Sequence, residues 1–389
     1  MSDSILIDYV APTLSKTSGG TASALASQLS ALNLLSGIEC RLFTDLQDVG
    51  DEIEIKWASR RNHIRVNSSP FSVFIGAQKN TILGEEVSRR MPMVTHSHGI
   101  WHPLNHLAVK IADSQKIPLV IQPHGALDPW ALRWKRVKKE VALFAYQKRD
   151  LEVANLLVAA SELEYNNIRK FGLRQPVAVI PNFFELAPRF ESVQPTSSLH
   201  SRPRALYLGR IHPVKGLKNL LLAWKSVARK DWLLQIAGPD DGGYLKEVLN
   251  LIENLDIAKS VEYLGEVDGD KKWSLMRASN LFILPSLSEN FGISVAEALS
   301  VGLPVITTTA TPWRDLPLYN AGWCVKSDVD GLKDAIDTAL SLTPEYLKEL
   351  GKNGLAYVRR FSSDTNAKQL KNVYLWLLNR APLPTCVRF

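Results

Sequence analysis

The sequence is poor in cysteine and has no long uninterrupted apolar segment. Its three cysteines, Cys40, Cys324 and Cys386, are odd in number and far apart, so they fit neither a disulfide framework nor a zinc-binding pattern. No apolar run approaches the roughly 20 residues that cross a bilayer as a helix. The opening MSDSILIDYV lacks the basic start and apolar core of a signal peptide. These absences predict a cytoplasmic protein that is soluble or at most peripheral on the inner face of the cytoplasmic membrane.

The chain also lacks a strong charge of either sign. Its 389 residues contain 46 Lys and Arg against 39 Asp and Glu, for a net charge of +7, which is too weak to predict a nucleic-acid partner. Hydrophobic residues make up 46% of the chain and lie along its whole length, which excludes a mainly disordered protein. The length is sufficient for two or three domains.

Short apolar runs rich in β-formers alternate with longer amphipathic segments along the whole chain. The predicted strands are Ile5–Val10, Glu39–Thr44, Ser72–Ile75, Met93–His96, Leu119–Gln122, Leu156–Ala160, Val177–Ile180, Arg204–Leu208, Trp232–Ala237, Val261–Leu264, Leu281–Pro285, Pro304–Thr307 and Trp323–Val325. Predicted helices between them include Thr21–Ser36, Lys218–Ala228, Leu245–Asn254 and Ser294–Ser300. Such alternation predicts an α/β protein with parallel sheets that are covered on both faces.

A segment rich in proline, serine and glutamine interrupts this alternation at 184–204. We interpret it as a connection between two doubly wound, Rossmann-like domains. The predicted organisation is an N-terminal domain (1–190), a linker (191–203), a second domain (204–362) and a C-terminal helix (363–389) that packs toward the first domain. If the domains face each other, the carboxyl ends of both sheets border one cleft, where ligands of open α/β sheets bind.

Two cations follow the first strand of the second domain. In YLGRIHPVKGLKNLLLAW the strand ends near Gly209, Arg210 and Lys215 flank a loop, and Gly216 precedes a helix. An arginine fork and a lysine point charge at the edge of a sheet suit a diphosphate. Two solvated cations beside a turn are the alternative, and this motif alone favours that alternative.

A loop with a second set of polar residues follows the strand Leu281–Pro285. In LFILPSLSENFGISVAEALSVGLPVITT, Glu289 lies in the loop, Gly292 opens a helix and Glu297 lies about a turn and a half into it. The amides of residues 290–293 lie at the helix N-terminus, which suits phosphate or sugar oxygens. Alternatively, Glu289 caps the helix and Glu297 is an exposed carboxylate.

Taken together, these two segments resemble the retaining glycosyltransferases of family 4, which have the GT-B fold. The resemblance extends over nearly the whole chain and is densest over 204–325, including IAGPDDGG, VEYLGEV and GLPVITT. It implies that Arg210 and Lys215 hold the nucleotide diphosphate, that Glu297 binds the ribose and that Glu289 binds a sugar hydroxyl. Further implied donor contacts come from Gly19, Gly20, Gly238, Val267, Asn290, Phe291, Gly292 and Ile293.

The resemblance also assigns a residue of the first domain to the reaction. His124, in QPHGALDPW, matches the histidine that faces the reacting sugar, and it is implied to hydrogen-bond that sugar and stabilise the transition state. Two segments depart from the family pattern: Pro181-Asn182-Phe183-Phe184-Glu185, and Thr311-Pro312-Trp313-Arg314-Asp315 after GLPVITT. These departures leave the hinge packing, the surroundings of the sugar and the donor identity open.

Several segments resemble metal-binding motifs, but each has a simpler structural explanation. Asp268-Gly269-Asp270 and Asp328-Val329-Asp330 resemble an Asp-x-Asp metal motif, but each precedes a helical pattern, where aspartate is a common N-cap. The segment THSHGIWHPLNH has four histidines with no neighbouring carboxylate or cysteine, so we interpret them as acceptor-side polar residues, with His98 nearest the cleft. We expect no metal and no other cofactor.

The densest basic run follows His124. Between Pro129 and Arg149 there are seven basic residues and one acidic residue. The run is either a solvated helix face or a surface for an anionic membrane or a lipid-linked acceptor. In the second interpretation Trp130 and Trp134, four residues apart in a predicted helix, lie at the interface. The basic residues concerned are Arg133, Lys135, Arg136, Lys138 and Lys139.

The resemblance therefore implies a retaining hexosyltransferase of surface-polysaccharide or lipopolysaccharide biosynthesis, with an acceptor-side first domain and a nucleotide-sugar-binding second domain. Its partners would be a UDP-, GDP- or ADP-sugar donor and a saccharide or lipid-linked acceptor. A sugar-nucleotide epimerase on the same scaffold is the alternative. A non-catalytic sugar-nucleotide-binding module also stays open. The G-x-G-x-x-G of a dinucleotide-dependent oxidoreductase does not follow the first strand, where APTLSKTSGG stands instead.

Overall fold

The computed structural model describes residues 4–15, 19–45, 53, 55, 62–66, 81–188, 202–227 and 231–389. The chain divides into two compact units, one of Met1–Phe184 with Ser363–Phe389 and the other of Glu185–Ser362. Most of the predicted linker, 191–203, and the predicted strand Ser72–Ile75 lie outside the described residues. That boundary and that strand therefore stay predictions.

The first unit begins with alternating strands and helices, as the apolar pattern predicted. Its elements up to residue 179 are β1 (Ile5–Val10), α1 (Gly20–Leu32), β2 (Ile38–Asp45), β3 (His63–Val66), α2 (Ile82–Arg89), β4 (Val94–His98), α3 (Pro103–Gln115), β5 (Leu119–Gln122), α4 (Pro129–Arg133), α5 (Arg136–Ala142), a π-helix (Leu143–Gln147), α6 (Lys148–Glu152), β6 (Leu156–Ala159), α7 (Glu162–Phe171) and β7 (Val177–Val179). Every residue of β1, β4, β5 and β6 is buried, because helices cover both faces of the sheet.

The second unit repeats this alternation. Its elements are β8 (Arg204–Leu208), a 3₁₀ turn (Pro213–Lys215), α8 (Leu217–Val227), β9 (Leu233–Ala237), α9 (Leu245–Asn254), β10 (Val261–Tyr263), α10 (Gly269–Arg277), β11 (Leu281–Leu284), α11 (Ile293–Ser300), β12 (Val305–Thr308), a 3₁₀ turn (Leu316–Tyr319), β13 (Gly322–Val325), α12 (Val329–Ser341), α13 (Pro344–Val358) and a 3₁₀ turn (Arg359–Phe361). Among the described residues its six strands pair in the order β10-β9-β8-β11-β12-β13, all parallel.

The chain then returns to the first unit through α14 (Ser363–Leu377) and β14 (Val387–Arg388). Helix α14 packs against α1, and its buried residues Ala367, Leu370, Val373 and Tyr374 join the core on that face of the sheet. Among the described residues the sheet of this unit has the order β14-β7-β6-β5-β4-β1-β2-β3. All its pairs are parallel except β14 with β7, which the sequence pattern did not predict.

Both strand orders have a point at which the chain reverses its direction of winding across the sheet. In the first unit this point lies between β1 and β4, and in the second it lies between β8 and β11. Loops that leave the carboxyl ends of the two strands diverge there and form a crevice. The fold thus places the loop at Arg210 and Lys215 beside the loop at Glu289.

Candidate active site

In the second unit the loops after β8 and β11 are in direct contact. Gly216 has φ +72°, and a Cβ at this position would lie 2.1 Å from the carbonyl oxygen of Pro285. The amide of Leu287 donates to the carbonyl of Val214 at 2.8 Å. Only glycine fits so close an approach with a left-handed backbone. This contact brings the two predicted segments together.

Lys215 and Glu289 form an ion pair where these loops meet. Lys215 Nζ lies 2.6 Å from Glu289 Oε2, and the two side chains are only 15% and 14% exposed. Ser286 Oγ donates to the same carboxylate oxygen at 3.2 Å. This pair restricts the rotamers of a lysine that is already sheltered from solvent.

Arg210 follows β8 but does not share this pair. Its Nη1 lies 2.6 Å from Asp241 Oδ2, and these side chains are 40% and 37% exposed. Its carbonyl accepts a hydrogen bond from the buried Tyr207 hydroxyl at 2.7 Å. Asp241 was not singled out in the sequence, where its position in PDDGG offered only a turn signal.

Gly238 and Val267, two of the implied donor contacts, lie along the next loops of the same sheet edge. Gly238 follows β9 with φ +142°, and a Cβ there would lie 1.9 Å from the Gly209 carbonyl oxygen. Its carbonyl accepts from the Tyr263 hydroxyl at 2.9 Å. Val267 is half-buried in the loop between β10 and α10. The glycine is therefore required by close backbone packing whether or not a ligand binds beside it.

The amides of residues 290–293 lie at the start of α11, as predicted. Gly292 is the N-cap with φ +79°, and no side chain caps this helix. Trp313 is buried, and its Nε1 donates to the carbonyl of Phe291. This tryptophan belongs to the segment that departs from the family pattern, and it packs against the turn that carries the predicted sugar contacts.

Glu297 is not the exposed carboxylate of the alternative interpretation, because its side chain is buried and has a partner. It is 6% exposed, and its Oε1 accepts from Lys272 Nζ at 2.6 Å. Burial raises the pKa of this carboxyl, while the neighbouring Lys272 opposes the rise. Lys272, which also lies over the Trp273 ring, was missed because it occurs in an exposed-looking DGDKKW segment with no spacing relation to Glu297.

In the first unit, His124 and His98 form a pair. His98 Nδ1 lies 2.9 Å from His124 Nε2. The His98 ring also stacks against His96, with centroids 4.4 Å apart, and His96 Nδ1 lies 2.7 Å from the hydroxyl of Tyr374. Burial lowers the pKa of His124 to about 4 and that of His96 to about 3, and it lowers the pKa of His98 as well. These imidazoles are therefore neutral near pH 7.

The four histidines of THSHGIWHPLNH lie in three separate environments. His96 and His98 lie side by side, His102 caps α3 by accepting from the Leu104 amide, and His106 bonds Asp150 at 2.8 Å. In the part of the chain that the structure describes, no group of three or more His, Cys, Asp or Glu side chains is arranged to hold a metal ion. Of the Asp-x-Asp segments, Asp328 caps α12 by accepting from the Gly331 amide, and Asp268 takes the N-cap position of α10.

The glycines after β1 shape the start of α1. Gly19 is its N-cap with φ +65° and ψ −139°, and Gly20 is its first residue. A side chain at Gly19 would be strained in this conformation. Ser18, the residue before them, lies outside the described residues.

The basic run does not form the single helix that we expected. Lys135 adopts φ +52°, which separates α4 from α5. Trp134 therefore lies at the C-cap of α4, yet its ring stacks on Trp130 with centroids 5.7 Å apart. Lys139 donates to the carbonyl of Ala131, and its ammonium lies 5.8 Å from the centre of the Trp101 ring.

The remaining cations of the run are exposed and lie next to exposed apolar side chains. Arg136 pairs with Glu140 at 2.6 Å, and these side chains are 72% and 56% exposed. Arg133, Lys135 and Lys138 are exposed as well. The neighbouring exposed apolar residues are Trp134, Val137, Val141 and Phe144. No helix among the described residues combines the length and the apolar character needed to span a membrane.

Each half of the chain matches the model of a known protein family. Residues 19–187 match the model of the glycosyltransferase family 4 domain, and residues 189–357 match that of the glycosyl transferases group 1 domain. O-antigen chain mannosyltransferase B of Escherichia coli is 30% identical over 44% of this chain and 45% of its own length. The chain spans less than half the length of the first curated relatives that it matches.

Solved structures share the fold over almost the whole chain. Sucrose-phosphate synthase from Thermosynechococcus elongatus has a TM-score of 0.80 and 20% identity, covering 97% of this chain and 100% of its own. HepE of Anabaena, in complex with UDP and glucose, has a TM-score of 0.75 and 19% identity, covering 95% and 99%. At this identity the likeness establishes the two-domain GT-B fold alone. None of these matches favours the epimerase alternative.

Proposed function

Because this chain is a family 4-type glycosyltransferase with the GT-B fold, we propose that it transfers a hexose-type sugar from a nucleotide-sugar donor to a saccharide or lipid-linked acceptor, with retention of configuration. The observation that carries this proposal is the sheltered Lys215–Glu289 pair at the strand-order reversal of the second unit. It combines a cation for phosphate with a carboxylate for sugar hydroxyls at the place where α/β sheets bind ligands.

Arg210 and Lys215 hold the donor diphosphate in this proposal. Both follow β8, and the turn Gly292–Ile293 follows β11, so cations and helix amides converge from adjacent strands. When the glycosidic bond to phosphate breaks, negative charge grows on the diphosphate. Fixed cations and N–H dipoles stabilise that charge without reorganising. Metal-independent departure of the leaving group is therefore part of the proposal.

The carboxylates have different roles. Glu289, already turned toward Lys215, accepts from a sugar hydroxyl, while the buried Glu297 binds the ribose together with Lys272. No carboxylate is assigned as a covalent nucleophile. The proposed reaction is a front-face displacement in which the leaving phosphate takes the proton of the acceptor hydroxyl. His124 hydrogen-bonds the sugar and stabilises developing charge.

A donor screen followed by product analysis tests this function. UDP-sugars come first because HepE was solved with UDP and glucose, followed by GDP- and ADP-sugars. A donor at 100 times its dissociation constant stabilises the fold by about 2.7 kcal/mol, which a thermal shift detects. A transferase then releases nucleotide only when acceptor is added, and NMR of the product reports its anomeric configuration. Epimerised donor without acceptor, or binding with no turnover, would refute the proposed reaction.

We also propose that the exposed run 133–144 docks the enzyme on the cytoplasmic face of an anionic membrane, where a lipid-linked surface-polysaccharide precursor is the acceptor. Four exposed cations of this run, Arg133, Lys135, Arg136 and Lys138, accompany Val137 and Phe144, which are 74% and 97% exposed. Each cation near an anionic surface contributes about 1 kcal/mol, and exposed apolar side chains add burial in the interface.

Vesicle co-sedimentation across a salt series tests the docking surface. We expect binding to anionic vesicles that falls with salt, and weaker binding when Lys135 and Lys138 are neutralised. Phe144→Ser should weaken the part of binding that survives high salt. Neutralising Lys348 and Lys352, exposed cations of α13, is the matched control and should change little. Equal binding to neutral and anionic vesicles, or no salt dependence, would refute docking through this surface.

A further inference from the structure

The unassigned feature nearest to the proposed chemistry is the hydrogen bond between His98 and His124. It joins the last residue of β4 to the loop after β5, with 2.9 Å between His98 Nδ1 and His124 Nε2. Among the described residues, His98 Nε2 and His124 Nδ1, the two outer ring nitrogens, have no hydrogen-bond partner. We propose that His98 is a positioning residue that fixes His124 in the tautomer with its proton on Nδ1, so that His124 donates a hydrogen bond to a substrate oxygen.

The backbone around His124 is held independently of this bond. His124 has φ +54°, in the left-handed region that non-glycine residues seldom adopt. Glu164 fixes the adjoining chain, because its two carboxylate oxygens accept from the amides of Gly125 and Ala160 at 2.6 and 2.7 Å. The backbone that carries the imidazole is therefore held by contacts other than the His98 bond, and His98 is left to act on the ring and on the placement of its proton.

Neutrality of the pair limits the proton arrangements to two. A neutral imidazole has one N–H, and the short contact needs one donor and one acceptor. In the first arrangement His98 donates from Nδ1, which leaves the proton of His124 on Nδ1. In the second His124 donates from Nε2, which leaves the proton of His98 on Nε2. Burial keeps the pKa of both rings below neutral pH, so arrangements with a doubly protonated, cationic ring are not considered.

Enclosure of the His98 ring favours the first arrangement. His98 is 1% exposed and packs against His96, with centroids at 4.4 Å, and against Tyr9, at 5.4 Å. An N–H on its Nε2 would have no acceptor among the described residues, and a buried donor without an acceptor is costly. The Nδ1 of His124 is also buried, but His124 is less enclosed as a residue than His98, so an N–H on this Nδ1 can be satisfied when a ligand reaches that nitrogen.

The consequence for the reaction rests on the proposed function. With its proton on Nδ1 and its Nε2 accepting from His98, a neutral His124 has no free lone pair in the ring plane. It can stabilise charge on a substrate oxygen by donation, but it cannot remove a proton from the acceptor hydroxyl. That agrees with a mechanism in which the leaving phosphate takes this proton.

Long-range ¹H–¹⁵N correlation spectra of histidine-labelled full-length protein at pH 7.5 test the tautomer directly, because protonated and bare ring nitrogens differ strongly in ¹⁵N shift. The chain has eight histidines, and the His124 signals are those lost in His124→Asn. We expect a protonated Nδ1 in the wild type. We also expect this preference to be kept in His98→Asn, whose amide can donate, and lost in His98→Leu. A wild-type His124 protonated on Nε2 would overturn the inference even if the enzyme is active.

Steady-state kinetics provide a second, independent test of the positioning role. Losing one oriented hydrogen bond corresponds to about a tenfold change, so His98→Leu should lower kcat about tenfold with little change in the KM of the donor, and His98→Asn should recover much of it. In a His124→Asn background, His98→Leu should have no further effect, since His98 acts through His124. An additive loss in the double variant would refute the positioning role. Full activity of His124→Asn alone would instead refute the proposed part of His124 in the reaction.

Discussion

Replacing Lys272 by methionine tests whether the Glu297 carboxylate depends on a single buried partner. Lys272 Nζ lies 2.6 Å from Glu297 Oε1, with side chains 23% and 8% exposed. Methionine keeps most of the length and apolar contact of the lysine stem but removes the charge. The carboxylate would then stay buried without its counter-ion, which is among the costly single changes in a folded protein.

The expected magnitude follows from the distance and the burial. Coulomb's law at 2.6 Å with an effective dielectric constant of about 20 gives an attraction of about 6 kcal/mol. Desolvation of the two groups offsets a large part of this energy. We therefore expect Lys272→Met to lower the free energy of unfolding by about 3 kcal/mol at pH 8, the lower end of the range for breaking a buried pair. The low end is chosen because about a quarter of Lys272 is exposed.

The sign of the pH dependence makes the prediction sharper. Burial already raises the pKa of Glu297 above its ordinary 4.5, and Lys272 opposes that rise, so removing the lysine raises the pKa further. The folded state then binds this proton more tightly than the unfolded state. Stability contributed by the proton is present below pH 4.5 and is lost as pH rises through the folded pKa. The destabilisation by Lys272→Met should therefore be larger at pH 8 than at pH 5.

Urea unfolding of the full chain at both pH values measures this effect, read as the shift in midpoint at constant slope. The double variant Lys272→Met with Glu297→Gln removes both charges and should recover most of the loss. Lys271→Met changes the adjacent exposed lysine and serves as the matched control. Equal destabilisation by Lys272→Met at pH 5 and pH 8, or no recovery in the double variant, would refute the reasoning.

Three further predictions concern the second unit. Lys215→Ala should reduce kcat by more than it raises the donor KM, and the reduction should be larger than in Arg210→Ala. Lys218→Ala, at an exposed lysine of the following helix, is the control and should leave both constants unchanged. Near-wild-type steady-state constants for Lys215→Ala and Arg210→Ala would contradict the donor-site assignment. Gly216→Ala should lower thermal stability by about 1–3 kcal/mol and reduce activity, because its Cβ would meet the Pro285 carbonyl 2.1 Å away and the backbone is left-handed. Turnover should survive dialysis against EDTA, and loss that Mg²⁺ or Mn²⁺ restores would show that a metal stabilises the leaving group.

The sequence could predict the strand ends because the strands are buried on both faces. Near-continuous apolar runs such as Leu281–Leu284 mark parallel strands, and parallel strands end at a common edge of the sheet. Residues that follow them, such as Arg210, Lys215 and Glu289, are thereby placed at one edge before any coordinates are known. The family 4 resemblance rests on the same positions, and the matched domain models and solved folds confirm it.

The residues that pair with these site residues from other helices and loops could not be predicted from the sequence pattern. Lys272 and Glu297 are 25 residues apart in the sequence, and Asp241 and Arg210 are 31 apart. At such separations helix or strand periodicity does not predict which side chains are in contact. The break at Lys135 was missed because a charged, helix-favouring run gives no local reason for a left-handed residue. A two-residue strand such as Val387–Arg388 is too short to show any alternation.

The return of the last residues to the first unit has a consequence for how the protein is made. Tyr374 bonds the Tyr9 hydroxyl, Asn366 donates to the Pro181 carbonyl, and β14 pairs with the edge of β7. The ribosome must add roughly 180 residues after Phe184 before α14 emerges, which at ordinary elongation rates takes about 10–40 s. Throughout that interval the nascent first unit lacks the helix that covers α1 and the strand that pairs with its edge. A truncation that removes α14 and β14 would therefore destabilise the unit that was synthesised first.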